Sequence, residues 1–202
     1  MIDNIVKDIR GRQNSLTAGD IGYRYLLRVL DDAGRSDVIY DMNSRSDKPG
    51  YGYQLAHGAT ALTESWQSFR NVSNDHFMLG HLMEWFYSGL AGIRPAKGSV
   101  AFKAIEIRPE PVGDVTAAKA SLESPYGLIS SQWKKTGGSF RLTVEIPANT
   151  LASIWLPARQ ASVITESGHA VSKDSSIIFD GYRDGRAVFE VGSGKYSFQV
   201  NN

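Results

Sequence analysis

"LISSQWKKTGGSFRLTVEI", residues 128–146, alternates apolar and polar side chains around a Gly-Gly pair. Phe140, Leu142, Val144 and Ile146 fall on every second position, which gathers them on one face of a strand. "TGGS" supplies the residues that a tight hairpin loop requires, because glycine enters positive φ without steric cost. The same period of two recurs from about Phe102 onward in "AIEIRP", "AKASLES", "ASIWLP", "ASVITES", "AVFEV" and "YSFQV", separated by Gly, Pro, Asn and Ser turns. "RDGR" and "GSGK" also read as hairpin loops. Seven or so short strands in about a hundred residues imply an antiparallel β-sandwich.

Upstream of this block the period changes. Residues 3–13 place Ile2, Ile5, Val6 and Ile9 at three- and four-residue spacing, and "DIGYRYLLRVLDDAG" repeats the pattern with Ile21, Tyr25, Leu26 and Val29. Gly34 is the C-terminal stop of that helix, and Ser36 is placed to cap a short third one, "SDVIYDM". A fourth helix is expected from a Ser73 or Asn74 cap through "HFMLGHLMEWFYSGLAGI" to Gly92. It carries Met78, Leu82, Trp85, Phe86 and Leu90 on one stripe and His81, Glu84 and Ser88 on the other side. The expected organisation is an α+β multidomain chain, helical over 1–98 and a sandwich over 99–202, with "GIRPAKGSVAF" as the connection.

The composition excludes several functions. Of 202 residues 42% are hydrophobic, which suits one large or two small globular domains. The 22 Lys and Arg nearly cancel the 21 Asp and Glu, and no basic run of five appears, so no nucleic-acid or anionic-membrane partner is expected. No apolar stretch approaches the roughly 20 residues of a bilayer span, and the amphipathic, charged "MIDNIVKDIRGRQ" is unlike a signal peptide. With no cysteine, disulfides and thiolate metal sites drop out, although no compartment follows. About four helices with such apolar stripes do not close a core by themselves, each large side chain being worth roughly 1.5–3 kcal/mol on burial. The cover is the sandwich, a second copy through self-association, or further helices.

The residue with most chemistry in its neighbourhood is Glu64, in "GATALTESW". As a lone carboxylate it reads first as a solvated helix-entry glutamate. Around it, however, lie Tyr51, Tyr53, His57, Trp66 and His76. Carboxylates among aromatic rings grip and hydrolyse sugars, the rings stacking on a pyranose and the carboxylate handling a hydroxyl or a water. His81 and Glu84, three apart, could start a helical metal site, but no second pair repeats them, and a wet helix face is the better account. "TGGS" and "GSGK" join strand to strand instead of opening a helix, so no phosphate loop or nucleotide cofactor is implied, and no G-x-S-x-G elbow announces a serine nucleophile. Trp133 and Trp155 lie in strands and read as sandwich core.

Five blocks together, "LTAGDIGYRYLLRVLDDAGRSDVIYDM", "GYGYQLAHGATALTESW", "SNDHFMLGHLMEWFYSGLAGIRP", "FKAIEIRPEP" and "AKASLESPYGLISSQWKKTGGSFRLTVEIPANTLASIWLP", resemble in order the C-terminal part of bacterial α-L-rhamnosidases of glycoside hydrolase family 78. The resemblance implies the last helices of an (α/α)6 barrel followed by the sandwich, and inverting hydrolysis of terminal α-L-rhamnose from an oligosaccharide or glycoside. By it, Glu64 matches the general base, His76 a residue that contacts the rhamnose ring, and Trp66 a nearby pocket wall. Where the family pattern usually has an aromatic residue before the glutamate, this chain has Thr63. The general acid and most sugar-gripping carboxylates of the family lie upstream of the "LTAG" block, so a fragment inactive on its own is expected, requiring a missing N-terminal catalytic segment. No cofactor and no metal are expected. The reading from a different class is a non-catalytic carbohydrate-binding or scaffolding sandwich.

Overall fold

A computed structural model describes residues 1–68, 70–171 and 176–201. The chain divides into two compact units, Met1–Trp85 and Phe86–Asn202.

The first unit is helical. α1 (Ile2–Gly11) and α2 (Asp20–Asp32) form where the apolar spacing places them. α2 ends as expected: Gly34 takes φ +67°, Gly34 N–H donates to Asp31 O at 3.0 Å and Arg35 N–H to Leu30 O at 2.8 Å. In α3 (Ser36–Asn43) the cap position belongs to Arg35, and buried Ser36 instead accepts a hydrogen bond from Trp85 Nε1 at 3.0 Å. α4 (Tyr51–Ala56) has no counterpart in the sequence reading, since six residues are too few to show a helical period.

The long fourth helix does not form. The segment contains a 3₁₀ turn at Phe77–Leu79, α5 (Leu82–Trp85), and a π-turn at Phe86–Leu90 that opens the second unit. Gly80, a poor helix former, interrupts the first part; Ala91 N–H reaches Phe86 O at 3.0 Å in the second, the wider spacing of π geometry. The apolar stripe breaks with it: Trp85 is buried while Met78 and Phe86 are exposed.

α2 buries Tyr23, Leu27 and Leu30, whereas Ile21 is 74% exposed, Tyr25 62% and Val29 44%. The apolar set that the sequence singles out is thus largely the open face, and the buried face lies between its members. Buried Ile9, Leu16, Val38, Ile39, Met42 and Leu79 complete the packing of this unit. Among the described residues no helix is long and apolar enough to cross a membrane.

The second unit is a two-sheet sandwich of β1 (Ile93–Pro95), β2 (Ala104–Ile107), β3 (Ala117–Ser124), β4 (Gly127–Thr136), β5 (Ser139–Ile146), β6 (Leu151–Leu156), β7 (Val163–Glu166), β8 (His169–Ala170), β9 (Ile178–Arg183), β10 (Arg186–Val191) and β11 (Gly194–Asn201). One sheet has the order β1-β2-β6-β10-β9 and the other β3-β4-β5-β11-β7-β8. Pairing is antiparallel except for β2 with β6. The segment read as a connection contributes the edge strand β1, with Ile93 opposite Ile107.

Two hairpins form as read. Gly137 and Gly138 (φ +52° and +86°) join β4 to β5, and Asp184 and Gly185 (φ +50° and +70°) join β9 to β10, the pair of positive φ angles that a type I′ loop demands. "GSGK" is no hairpin: it carries the chain from β10 in one sheet to β11 in the other. The alternation decides what meets between the sheets. Ile107, Ile154, Phe189, Trp133, Leu142 and Phe198 are in the core, with Phe189 and Phe198 stacked at 5.6 Å. Trp133 is core as expected, but Trp155 faces the other way from Ile154 and Leu156 and is covered by the Arg108 guanidinium 4.8 Å from its ring.

Side chains of the sandwich donate to three carbonyls in and just after the π-turn. Arg94 Nε donates to Ser88 O, Trp133 Nε1 to Leu90 O and Ser131 Oγ to Ala91 O, each at 2.7 Å.

Candidate functional site

The site is built on the loop that follows α4. Buried Gln54 donates from Nε2 to Thr63 O at 3.3 Å and Ser65 O at 3.1 Å, and Thr63 Oγ1 donates to Ser65 O at 2.7 Å. Thr63, standing where the resemblance has an aromatic residue, is therefore an internal brace and only 2% exposed. On either side of it the loop is stitched to its own return: Glu64 N–H donates to Ser73 O at 2.9 Å, and His76 N–H to Leu62 O at 2.8 Å.

Glu64 is exposed, as the solvated reading has it, but lies in loop and not at the start of a helix. Its Oε2 accepts the Ser73 N–H at 3.2 Å. That bond restrains one oxygen and leaves the other open. Such a group can accept a proton from a bound water.

Trp66 lies beneath the loop, 4% exposed. Its ring meets Tyr23 at 5.0 Å and Tyr51 at 5.1 Å, both edge-to-face, and its Nε1 donates to Ala18 O at 2.7 Å. The indole is a post that ties the loop to the residues just before α2. Burial pushes the Tyr51 phenol up to about 12, and pushes Tyr23, which also faces Tyr51, higher still. Tyr23 Oη donates to Asn43 Oδ1 at 2.7 Å and Tyr51 Oη to Leu79 O.

His76 is joined to the same region through Nε2, 3.4 Å from Asp20 Oδ2, with 14% of its side chain exposed. Glu64, Trp66 and His76 thus share one stitched loop region, through main-chain bonds that sequence inspection does not reveal. Tyr53 on α4 and His57, the residue that ends it, stack their rings on each other at 3.9 Å. Glu84 accepts from Arg24 Nε at 3.0 Å, and no group of three His, Cys, Asp or Glu is gathered for a metal among the described residues. Asp20 is the site neighbour that sequence reading missed: it lies 56 residues from His76, and nothing in its local sequence signals that pairing.

Residues 1–90 match the family model for the bacterial alpha-L-rhamnosidase 6 hairpin glycosidase domain, and residues 92–170 the bacterial alpha-L-rhamnosidase C-terminal domain. An alpha-L-rhamnosidase of Streptomyces avermitilis is 35% identical over 98% of this chain and 19% of that protein; one of Formosa agariphila is 32% identical over 76% of this chain and 17% of that protein. The solved structure of the Streptomyces avermitilis alpha-L-rhamnosidase complexed with L-rhamnose superposes with a TM-score of 0.87 at 34% identity, covering 98% of this chain and 19% of that one. The alpha-L-rhamnosidase from Dictyoglumus thermophilum gives 0.87 at 29% identity, covering all of this chain and 23% of that one. The chain spans about a fifth of the length of these relatives. It belongs to the bacterial α-L-rhamnosidase family of glycoside hydrolases and corresponds to their C-terminal portion.

Proposed function

We propose that the chain supplies the general base and part of the sugar pocket of an inverting α-L-rhamnosidase-like hydrolase. The observation that carries this is Glu64, an open carboxylate held by Ser73 N–H on a loop that also presents His76, in a chain of the rhamnosidase family. In the reaction, a water oxygen attacks the anomeric carbon while Glu64 takes its proton, and a carboxylic acid on the opposite side protonates the departing glycosidic oxygen. Inversion requires roughly 6.5–9.5 Å between the two carboxyl groups, which leaves room for the water. His76 contacts the rhamnose ring, and Trp66 backs the pocket by holding the loop in place.

The acid is assigned to polypeptide outside this chain, because the relatives are about five times longer and catalysis needs a second carboxylate. The helical part, 1–98, is on this reading the end of an (α/α)6 barrel, with 99–202 as the C-terminal sandwich. The open apolar face of Ile21, Tyr25 and Val29 supports further helices against α2. Purified chain added to an aryl α-L-rhamnoside should release no product alone. Turnover that disappears in Glu64→Gln would show instead that the chain is catalytically complete.

A second reading, a sugar-binding sandwich, has one observation in its favour. A cavity of about 620 Å³ opens on the face of the five-stranded sheet turned away from the core, lined by Glu106, Ser153, Val188 and Glu190 among others. Calorimetry separates the two: a binding sandwich holds sugars unchanged when Glu64 is replaced, whereas a site at Glu64 does not.

A further inference from the structure

We propose that Asp20 is a positioning residue: its carboxylate accepts a hydrogen bond from the Nε2–H of His76, leaving Nδ1 as an unprotonated acceptor for a sugar hydroxyl. This rests on the reading of His76 as a sugar contact.

Both partners are held by main chain. Asp20 opens α2, where its Oδ1 accepts the Ile21 N–H at 2.9 Å, leaving Oδ2 for the imidazole 3.4 Å away. The residues before it are pinned as well, Ala18 O by the Trp66 indole and Gly19 O by Tyr23 N–H at 2.8 Å. His76 is fixed through its N–H to Leu62 O and its carbonyl to Leu79 N–H at 3.1 Å. The ring therefore meets the carboxylate because two separate stretches of backbone set its place, not because two long side chains find each other.

The chemical consequence follows from counting protons. A neutral imidazole carries one N–H, and a carboxylate only accepts. Committing that hydrogen to Asp20 makes Nδ1 a lone-pair acceptor. Among the described residues Nδ1 has no hydrogen-bond partner, and the ring is partly open to solvent. A hydroxyl whose hydrogen points at Nδ1 is then bound, while a group that can only accept is refused. The pair makes His76 selective for donors.

Long-range ¹⁵N–¹H correlation on histidine-labelled chain reads this directly, with His76→Gln identifying the signals among the four histidines. In the neutral ring, Nε2 is expected as a pyrrole-type nitrogen with a slowly exchanging proton, and Nδ1 as a pyridine-type one. Asp20→Asn preserves an oxygen for the Ile21 N–H, so α2 still starts, yet its amide both donates and accepts. Loss of the protected Nε2 proton and movement of both nitrogens toward averaged positions are expected. A proton on Nδ1 in the parent chain, or identical signals in Asp20→Asn, overturns the proposal. Adding L-rhamnose separates the two levels: a shift of Nδ1 supports the sugar contact, and a protected Nε2 proton with an unmoved Nδ1 refutes the sugar reading while the pairing stands.

Discussion

Replacing Trp66 by phenylalanine should destabilise the helical unit by about 2–3 kcal/mol. The indole Nε1 bond to Ala18 O is lost, worth about 1 kcal/mol where the carbonyl is half-buried and water can partly replace it. The phenyl ring keeps part of the edge-to-face contacts with Tyr23 and Tyr51 but leaves a gap where the second ring was, for about 1–2 kcal/mol more. Trp66→Ala removes the whole post, and about 3–5 kcal/mol is expected. For a unit of this size 1 kcal/mol corresponds to roughly 4–8 °C in the unfolding midpoint. The assay is thermal and urea unfolding followed by far-ultraviolet circular dichroism, because fluorescence changes with the residue itself. The sandwich transition serves as an internal reference. A Trp66→Phe chain that melts like its parent would refute the post, and the indole would have to be an element of the ligand surface instead.

Three further outcomes follow. Gly92 adopts φ +78°, and a Cβ there would lie 2.2 Å from Pro109 N and 2.3 Å from Arg108 C; Gly92→Ala forces backbone apart and should cost at least about 3 kcal/mol, read by urea unfolding of the sandwich. Arg186, largely buried, donates to Glu110 Oε2 at 2.6 Å and Pro109 O at 2.9 Å. Removing either charge alone should cost about 3–5 kcal/mol, and replacing both by apolar residues of similar volume should cost far less, a comparison that a double-mutant cycle makes. At high pH the helical unit should weaken. Tyr51 keeps its proton to about 12 when folded, against an ordinary 10.0, so its contribution is complete below pH 10 and disappears as pH rises through 12. That loss is about 2–3 kcal/mol, with buried Tyr23 adding to it, and Tyr51→Phe should flatten the decline in urea titrations across this range.

The sandwich was legible because its signal is local. Period-two alternation and Gly-rich loops name their partners when the loop is two residues long, as at Gly137-Gly138 and Asp184-Gly185. "GSGK" shows where that ends: the same residue types serve a crossover between sheets, and only the packing of β10 and β11 decides between them. β1 escaped for a related reason, since three residues carry no period and its pairing with β2 is long-range. The helices were harder. Periodicity around "HFMLGHLMEWFYSGL" fits one continuous helix, but hydrogen-bond demands from Arg94, Trp133 and Ser131 favour irregular winding at its C-terminal end. In α2 both faces are apolar, so spacing alone could not say which one this chain buries.

Of the site, residue types drew attention to Glu64 and the family blocks to His76. What neither conveys is support: Ser73, Leu62 and Ala18 act through backbone groups, which any residue type carries, and Gln54 through a side-chain amide whose targets, the carbonyls of Thr63 and Ser65, are likewise backbone. Trp66 is the clearest case, since an indole next to a carboxylate reads as a sugar platform until its burial against two tyrosines is known.

The role of Glu64 is tested most directly by a chimera in which this chain replaces the matching segment of the Streptomyces avermitilis protein, assayed on an aryl α-L-rhamnoside with and without Glu64→Gln. General-base catalysis contributes roughly 10²–10⁴-fold, so the Gln variant should lose at least about 100-fold in turnover while remaining folded. A Glu64→Gln chimera that cleaves the substrate as fast as its parent would contradict the account.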